Sequence, residues 1–246
     1  YGNREPFNPE CMRAADGIDR FVFTDHETLD TDATVITVDP FALDPKRACS
    51  RVKLQPWRYL REYDWTIYLD NKANLLKAPG QIIEEVNGLE EASFWCFAHG
   101  RDCSYEEAKV CMRRGLDNPK TIRHQMKTYA KDGFPAHSGL FCSGFMVRQM
   151  DAPLWESAGE HWFEQVLRHS RRDQLSLPYV VWKLGLKPGC LLGHVGGNEY
   201  FKWPVIFRDD QFKQHFRGVP QALKKPLKRA LGRLGILGLI RGRRHV

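Results

Sequence analysis

Short apolar runs that close on a polar or acidic residue alternate along this chain with amphipathic segments of helical period. Residues 21–25 (Phe-Val-Phe-Thr-Asp) and 33–38 are β-rich and end at turn-forming residues. Residues 46–62 carry a helical pattern interrupted at Pro56. The aromatic and β-branched run Trp65-Thr66-Ile67-Tyr68-Leu69 stops at Asp70-Asn71-Lys72. Pro79 opens a short helix over 79–87, and 92–98 is a second apolar strand. Ser104, followed three residues later by Glu107, has the capping-box spacing of a helix start. Asn118-Pro119 opens a helix to Asp132, with Gly133 behind it as a stop. Residues 137–148 alternate small and apolar types, as one or two strands. Helices follow over 155–169 and 173–184, the second stopped by Gly185. A short strand at 190–193 leads into His194-Val195-Gly196-Gly197-Asn198.

Strands alternating with helices predict an α/β fold: one domain over 1–210, with a mainly parallel central sheet flanked by helices. In such sheets ligands gather outside the carboxyl ends of strands, which makes Asp70 a candidate site carboxylate. An Asp-Asn turn serving only the backbone is the plainer alternative.

Composition adds limits. A chain of 246 residues, 42% hydrophobic and 27% charged, can bury a large single core. Its 7 cysteines are scattered without CxxC spacing, as small core thiols in a reducing compartment would be, so a cytoplasmic location is expected. The sequence has neither a leader-like apolar start nor an apolar run long enough to cross a bilayer. The net charge of +7 is unevenly placed: ten Lys and Arg and no acid follow Asp210, so residues 1–210 carry −3. An acidic body argues against a nucleic-acid partner. In the basic tail, 211–246, Leu223, Leu227, Leu231 and Leu234 fall three or four residues apart among lysines and arginines. That spacing predicts an amphipathic helix on an anionic membrane surface, and so a peripheral position at the inner membrane face. A helix packed on the domain and a disordered tail are the alternatives.

Four clusters could carry chemistry. Asp70-Asn71-Lys72 is the first, and Arg51 with Lys53 the second. Arg171-Arg172-Asp173-Gln174, at a helix start, is the third. His194 with Gly196 and Gly197, followed by Lys202 and Trp203, is the fourth. A sugar-nucleotide site needs these types: cations or a metal for the diphosphate, glycines where backbone approaches phosphate, and a carboxylate or amide at the reacting carbon. Each also has a plainer use: Asp173 as a helix cap, Arg171-Arg172 as solvated charge, His194 as a loop histidine and the glycines as a turn.

Residues 51–53 with 63–70, then Arg101-Asp102-Cys103-Ser104-Tyr105-Glu106-Glu107-Ala108, residues 125–133 and the Arg-Arg-Asp-Gln-Leu-Ser block at 171–176 resemble a glycosyltransferase-like family. That family includes plant mucilage- and pectin-related proteins and bacterial members, and was long labelled a domain of unknown function. The segment ending at Asp70 looks like the approach to the DxD motif of GT-A-fold glycosyltransferases. His194-Val195-Gly196-Gly197 with Lys202-Trp203-Pro204 is more distantly similar to a C-terminal loop of family 8 glycosyltransferases, with a longer spacing and reversed Trp-Pro order. The resemblance implies a GT-A-like fold and transfer of a sugar from a nucleotide-sugar donor to a glycan or glycolipid acceptor in polysaccharide biosynthesis. It implies Asp173 and Gln174 as catalytic residues. Asp70, Lys72, Arg51, Lys53, Arg172, His137, Ser138, Gly139, Gly196, Gly197 and Lys202 would bind the donor. Asp70 and His194 would be ligands for Mn2+ or Mg2+. Lys72 stands where the motif has its second Asp, which repels a divalent ion and keeps open a catalytically silent binding protein on the same fold.

Overall fold

The computed structural model describes residues 1, 5–12, 17–26, 29–89 and 92–206. The tail over 211–246, and with it the expected membrane helix and the boundary at 210, lies outside the described residues. Among the described residues no helix is long and apolar enough to cross a membrane.

Strands β1 (Phe21–Thr24) and β2 (Thr34–Thr37) pair in parallel as a separate ribbon. Helix α1 (Pro45–Leu54) starts at Asp44, whose carboxylate accepts from the Lys46 and Arg47 amides, with Pro45 at the first turn. It ends sooner than its charge pattern suggests, because Pro56 converts the chain to a 3-10 turn over Pro56–Arg58. Next come β3 (Trp65–Leu69), β4 (Asn74–Leu75), α2 (Pro79–Gly88) and β5 (Phe94–Ala98). Helices α3 (Ser104–Arg113) and α4 (Pro119–Lys131) precede one long strand, β6 (Phe141–Gln149). Helices α5 (Pro153–Arg168) and α6 (Asp173–Lys183) follow, then β7 (Gly189–Cys190) and β8 (Phe201–Lys202).

The central sheet has the order β3-β6-β5-β7. It corrects the expectation of a mainly parallel sheet: β6 runs antiparallel to both β3 and β5, and only the β5–β7 pair is parallel. Period-two patterning gives each strand's faces but not its direction, so β6 read the same either way. Apolar side chains cover both faces of this sheet. Leu54, Phe94, Cys96, Met146, Trp162 and Val180 pack between it and α1, α5 and α6. Ile82, Val86, Trp95, Phe145 and Val147 pack on the α2 side. The seating of α5 depends on Gly159, where a Cβ would fall 2.1 Å from the Trp57 ring and 2.4 Å from the Leu54 carbonyl oxygen.

A second correction concerns α3. Its N-cap is Cys103, not Ser104, whose buried hydroxyl has no hydrogen-bond partner; Glu107 binds the Arg101 guanidinium at 2.8 Å instead of closing a capping box. All seven cysteines are free thiols. The short β4–β8 pair, which the sequence pattern does not announce, sets Asn74 opposite Lys202 and so brings the C-terminal loop to the turn after Asp70.

Candidate active site

Asp70 follows the last residue of β3, and its amide donates to the Gly144 carbonyl of β6 at 2.8 Å. The Tyr68 hydroxyl donates to Asp70 Oδ1 at 2.7 Å, while a Cβ on Gly144 would sit 3.0 Å from Asp70 Oδ2. A side chain at 144 would therefore crowd the carboxylate, which glycine leaves room to sit against β6. Burial and the neighbouring Asp70 charge push the Tyr68 phenol well above its ordinary range, so it stays a hydrogen-bond donor.

The turn over 71–74 is held from the N-terminal segment. Asn8 Nδ2 donates to the Asn71 and Ala73 carbonyls and to Asn74 Oδ1, and the Asn8 amide donates to Asn71 Oδ1. Lys72 Nζ pairs with Glu5 at 2.9 Å. The Cys11 thiol faces the Asp70 carbonyl, and burial followed by the Asp70 charge raises it to about 12.

Behind Tyr68 lies a buried ion pair. Lys53, on α1, reaches Asp173 Oδ2, at the start of α6, at 2.6 Å; Ser143 Oγ of β6 accepts from Lys53 at 3.1 Å and donates to Asp173 at 3.3 Å. Lys53 Nζ also stands 4.9 Å from the centre of the Tyr68 ring. Burial opposes the charge on each partner, but pairing wins. Asp173 and then Asp70 hold the Lys53 ammonium above the usual lysine range, and Lys53, Lys46 and Arg172 hold the Asp173 carboxyl far below the usual carboxylate range. Arg148, buried beside them, donates to the Lys53 carbonyl at 2.8 Å, and burial lowers it to about 10.

A cleft of ≈ 830 Å³ opens in front of Asp70. Its walls come from β1, the start of α1, the turn after Asp70 and the segment around Arg172, and include Lys46, Tyr68, Asp70, Lys72, Arg172 and Trp203. Of the expected donor residues, Asp70, Lys72 and Arg172 meet in this cleft. Lys53 and Asp173 do not line it: they are 3% exposed each and engage one another, so neither is free for phosphate or for proton transfer from solvent. Gln174 is tied by Nε2 to the Phe141 carbonyl at 3.1 Å. Arg51 covers the Phe41 ring at 5.2 Å.

His137, Ser138 and Gly139 form the turn before β6 instead of a pocket wall. His137 pairs with Asp102 at 2.8 Å and Ser138 Oγ donates to the Pro135 carbonyl. The hydrogen bond to Asp102 raises the His137 pKa. His194 is turned onto its own loop: Nδ1 accepts from the Gly196 amide at 3.2 Å, and its backbone pairs with Gly197. Gly196, Gly197 and His194 are exposed and line neither large cavity; Lys202 reaches the area only through its backbone pairing with Asn74.

These donors do not fit a divalent ion. Asp70 Oδ1 is occupied by Tyr68, Lys72 replaces the second carboxylate, and His194 is engaged in its turn. Among the described residues no group of three or more His, Cys, Asp or Glu side chains could hold a metal. Tyr68, Ser143, Gly144, Lys46 and Asn8 are site residues that sequence reasoning missed. The only signals for them were the polar hydroxyl in an apolar strand at 68 and the Ser-Gly pair interrupting another at 143–144.

Among solved structures, apo mouse xyloside xylosyltransferase 1 is similar at 13% identity and a TM-score of 0.44, over 74% of this chain and 78% of that one. No curated protein matches the chain. The model of the TOD1/MUCI70 glycosyltransferase-like domain matches residues 32–194, which contain β3, Asp70, the Lys53–Asp173 pair and Arg172. This chain belongs to the TOD1/MUCI70 glycosyltransferase-like domain family.

Proposed function

We propose that the chain is a GT-A-like glycosyltransferase that binds a nucleotide-sugar donor in the cleft beside Asp70 and passes the sugar to a glycan or glycolipid acceptor in polysaccharide biosynthesis. The observation that carries this reading is the gathering of Asp70, Lys46, Lys72 and Arg172 on the walls of one ≈ 830 Å³ cleft at a strand's carboxyl end. Family membership supports the class of reaction.

In this reading the cations take the donor diphosphate and offset the negative charge that develops as it departs. Arg172 suits the task, since its buried Nε has no hydrogen-bond partner. Asp70, fixed by Tyr68, orients the sugar. Asp173 and Lys53 are positioning residues that lock α1, α6 and β6 behind it. The basic tail would bring the enzyme to an anionic membrane surface on the cytoplasmic side.

Lys72 at the motif's second position, and the sequestration of Asp173 by Lys53, favour one other reading: a silent protein that binds the nucleotide sugar without transferring it. Thermal shift against a panel of UDP-, GDP- and dTDP-sugars, with Mn2+ and with chelator, tests the site. Stabilisation by one donor, lost in Arg172→Gln, supports it. If no sugar nucleotide stabilises the chain, both readings fail.

A further inference from the structure

The Arg101-Asp102 segment, Glu107 and the His137 turn, none of them used in donor binding, meet beyond the carboxyl end of β5. Strands β3 and β5 both run antiparallel to β6, so they end at the same edge of the sheet, about 10 Å apart across β6. Between them β6 bulges: Cys96 pairs with Met146 but Phe97 with Cys142, and the extra residues include Ser143 and Gly144, which contact Asp173 and Asp70. Past β5, His99 Nδ1 accepts from the Arg101 amide at 2.9 Å, which places the proton of the neutral imidazole on Nε2. Burial and then the Arg101 charge lower the His99 pKa, so this neutral form holds at neutral pH. Arg101 Nε donates to Glu107, itself 4% exposed, and Arg101 Nη2 stands 3.5 Å from His99 Nε2. Two N–H donors side by side suit one oxygen that accepts from both. Asp102 is exposed and gives one carboxylate oxygen to His137 at 2.8 Å. The cluster adjoins the donor cleft: Glu107 Oε1 accepts from the Cys111 thiol at 3.5 Å, and the Arg172 charge acts on that same thiol.

We propose that His99, Arg101 and Asp102 bind the hydroxyl groups of a neutral sugar in the acceptor, beside the donor cleft. The word acceptor rests on the reading of that cleft as a sugar-nucleotide site. A sugar hydroxyl both donates and accepts, and the cluster offers both: N–H groups from His99 and Arg101, and a carboxylate oxygen from Asp102. Its charges are met in pairs, Arg101 by Glu107 and Asp102 by His137, and Glu106 is a further exposed acid whose charge acts on His137. An anionic sugar would find no uncompensated cation here and would face the carboxylates of Asp102 and Glu106. Glu107 holds the guanidinium from behind, which fixes the direction of its remaining donors. A site built of such groups selects among hydroxyl patterns, because a missing hydroxyl leaves its partners unpaired.

The test is saturation-transfer NMR of the full chain with neutral trisaccharides of glucose, xylose, galactose and mannose. Uronate and sugar-phosphate counterparts run beside them, each with and without the sugar nucleotide that gives a thermal shift. At least one neutral trisaccharide is expected to bind, with affinity falling at least tenfold in His99→Asn and in Asp102→Ala. Asn keeps an acceptor for the Arg101 amide and removes the Nε2–H, and Asp102 is exposed, so both variants should melt as the wild type does. The thermal shift with the sugar nucleotide should also be unchanged in both, which separates this site from the cleft. If no sugar nucleotide binds while neutral trisaccharides still bind through His99 and Asp102, the donor reading fails and the sugar-binding cluster stands. Silence of the whole panel, binding of the anionic members alone, or neutral binding unchanged in both variants overturns the proposal.

Discussion

Lys53 Nζ and Asp173 Oδ2 lie 2.6 Å apart with almost no access to water, and Ser143 bridges them. Three elements distant in sequence, α1, β6 and α6, meet at this contact. A buried pair of this kind costs desolvation on both sides, so its value lies less in net stability than in what happens when one member is lost. It sits directly behind Tyr68, whose hydroxyl orients Asp70, so the pair sets the floor on which the cleft carboxylate rests.

Removing one partner strands the other charge. Lys53→Met should lower unfolding free energy by about 3–5 kcal/mol. Lys53→Met combined with Asp173→Leu should cost markedly less than the single variant, because no charge is left buried. Denaturant unfolding of the two variants and of Asp173→Leu completes the cycle; simple additivity would contradict the assignment.

The same pair gives the acid limb of stability a definite sign. Asp173 is depressed in the folded state, so its contribution is fully present above the unfolded carboxylate pKa of about 4 and is lost as pH falls below it. Lys53 is raised, so its contribution holds through neutral pH and is lost only as pH rises past the ordinary lysine value of about 10. Melting temperature measured from pH 7 to pH 3 should fall less steeply in Lys53→Met/Asp173→Leu than in the wild type. Parallel curves would count against it.

Tyr68→Phe removes the hydroxyl on Asp70 while leaving the ring over Lys53. Stability should change by about 1 kcal/mol. Donor turnover should fall about tenfold or more through a misoriented carboxylate. Gly144→Ala reaches the same carboxylate from the other side, at 3.0 Å, and should lower turnover similarly. Full activity in both variants would remove Asp70 from the chemistry.

Gly159→Ala tests the scaffold instead of the site. A methyl group 2.1 Å from the Trp57 ring and 2.4 Å from a backbone carbonyl cannot be absorbed by a side-chain shift alone. A loss of at least about 2 kcal/mol is expected by thermal or denaturant unfolding. A neutral result would mean that α1 and α5 are not packed at this distance.

The tail carries its own prediction. If its basic leucine-spaced segment holds the enzyme at a membrane, the full chain should sediment with anionic liposomes and a chain ending at residue 206 should not. Equal sedimentation of both would end that proposal.

Much of the fold was legible because helix starts and stops are local. Pro79, Asn118-Pro119, Gly133 and Gly185 fix their boundaries through nearby backbone geometry. Asp70 was legible for a similar reason, as the polar end of an apolar strand. What local pattern could not carry was long-range: the antiparallel course of β6, the β4–β8 pair, and the choice of partner for each charge. Asp173 and Lys53 were both expected at the site, but their 120-residue separation hid the fact that each is occupied by the other. His137 and His194 drew attention as chemistry-bearing side chains, yet His137 pairs with Asp102 of the loop before α3 and His194 is turned onto its own loop.

In the proposed function, Asp70 and the cations around it form a donor site that would transfer sugar without a bound metal. Nucleoside diphosphate release, measured in chelator with the sugar nucleotide that gives the largest thermal shift, tests this directly in the wild type and Asp70→Asn. Asn keeps an oxygen for the Tyr68 hydroxyl and removes only the charge. Release by the wild type in chelator, reduced about a hundredfold or more in Asp70→Asn at unchanged melting temperature, is the predicted result. Equal release by the two proteins, or release that appears only with Mn2+, would contradict metal-free transfer at Asp70.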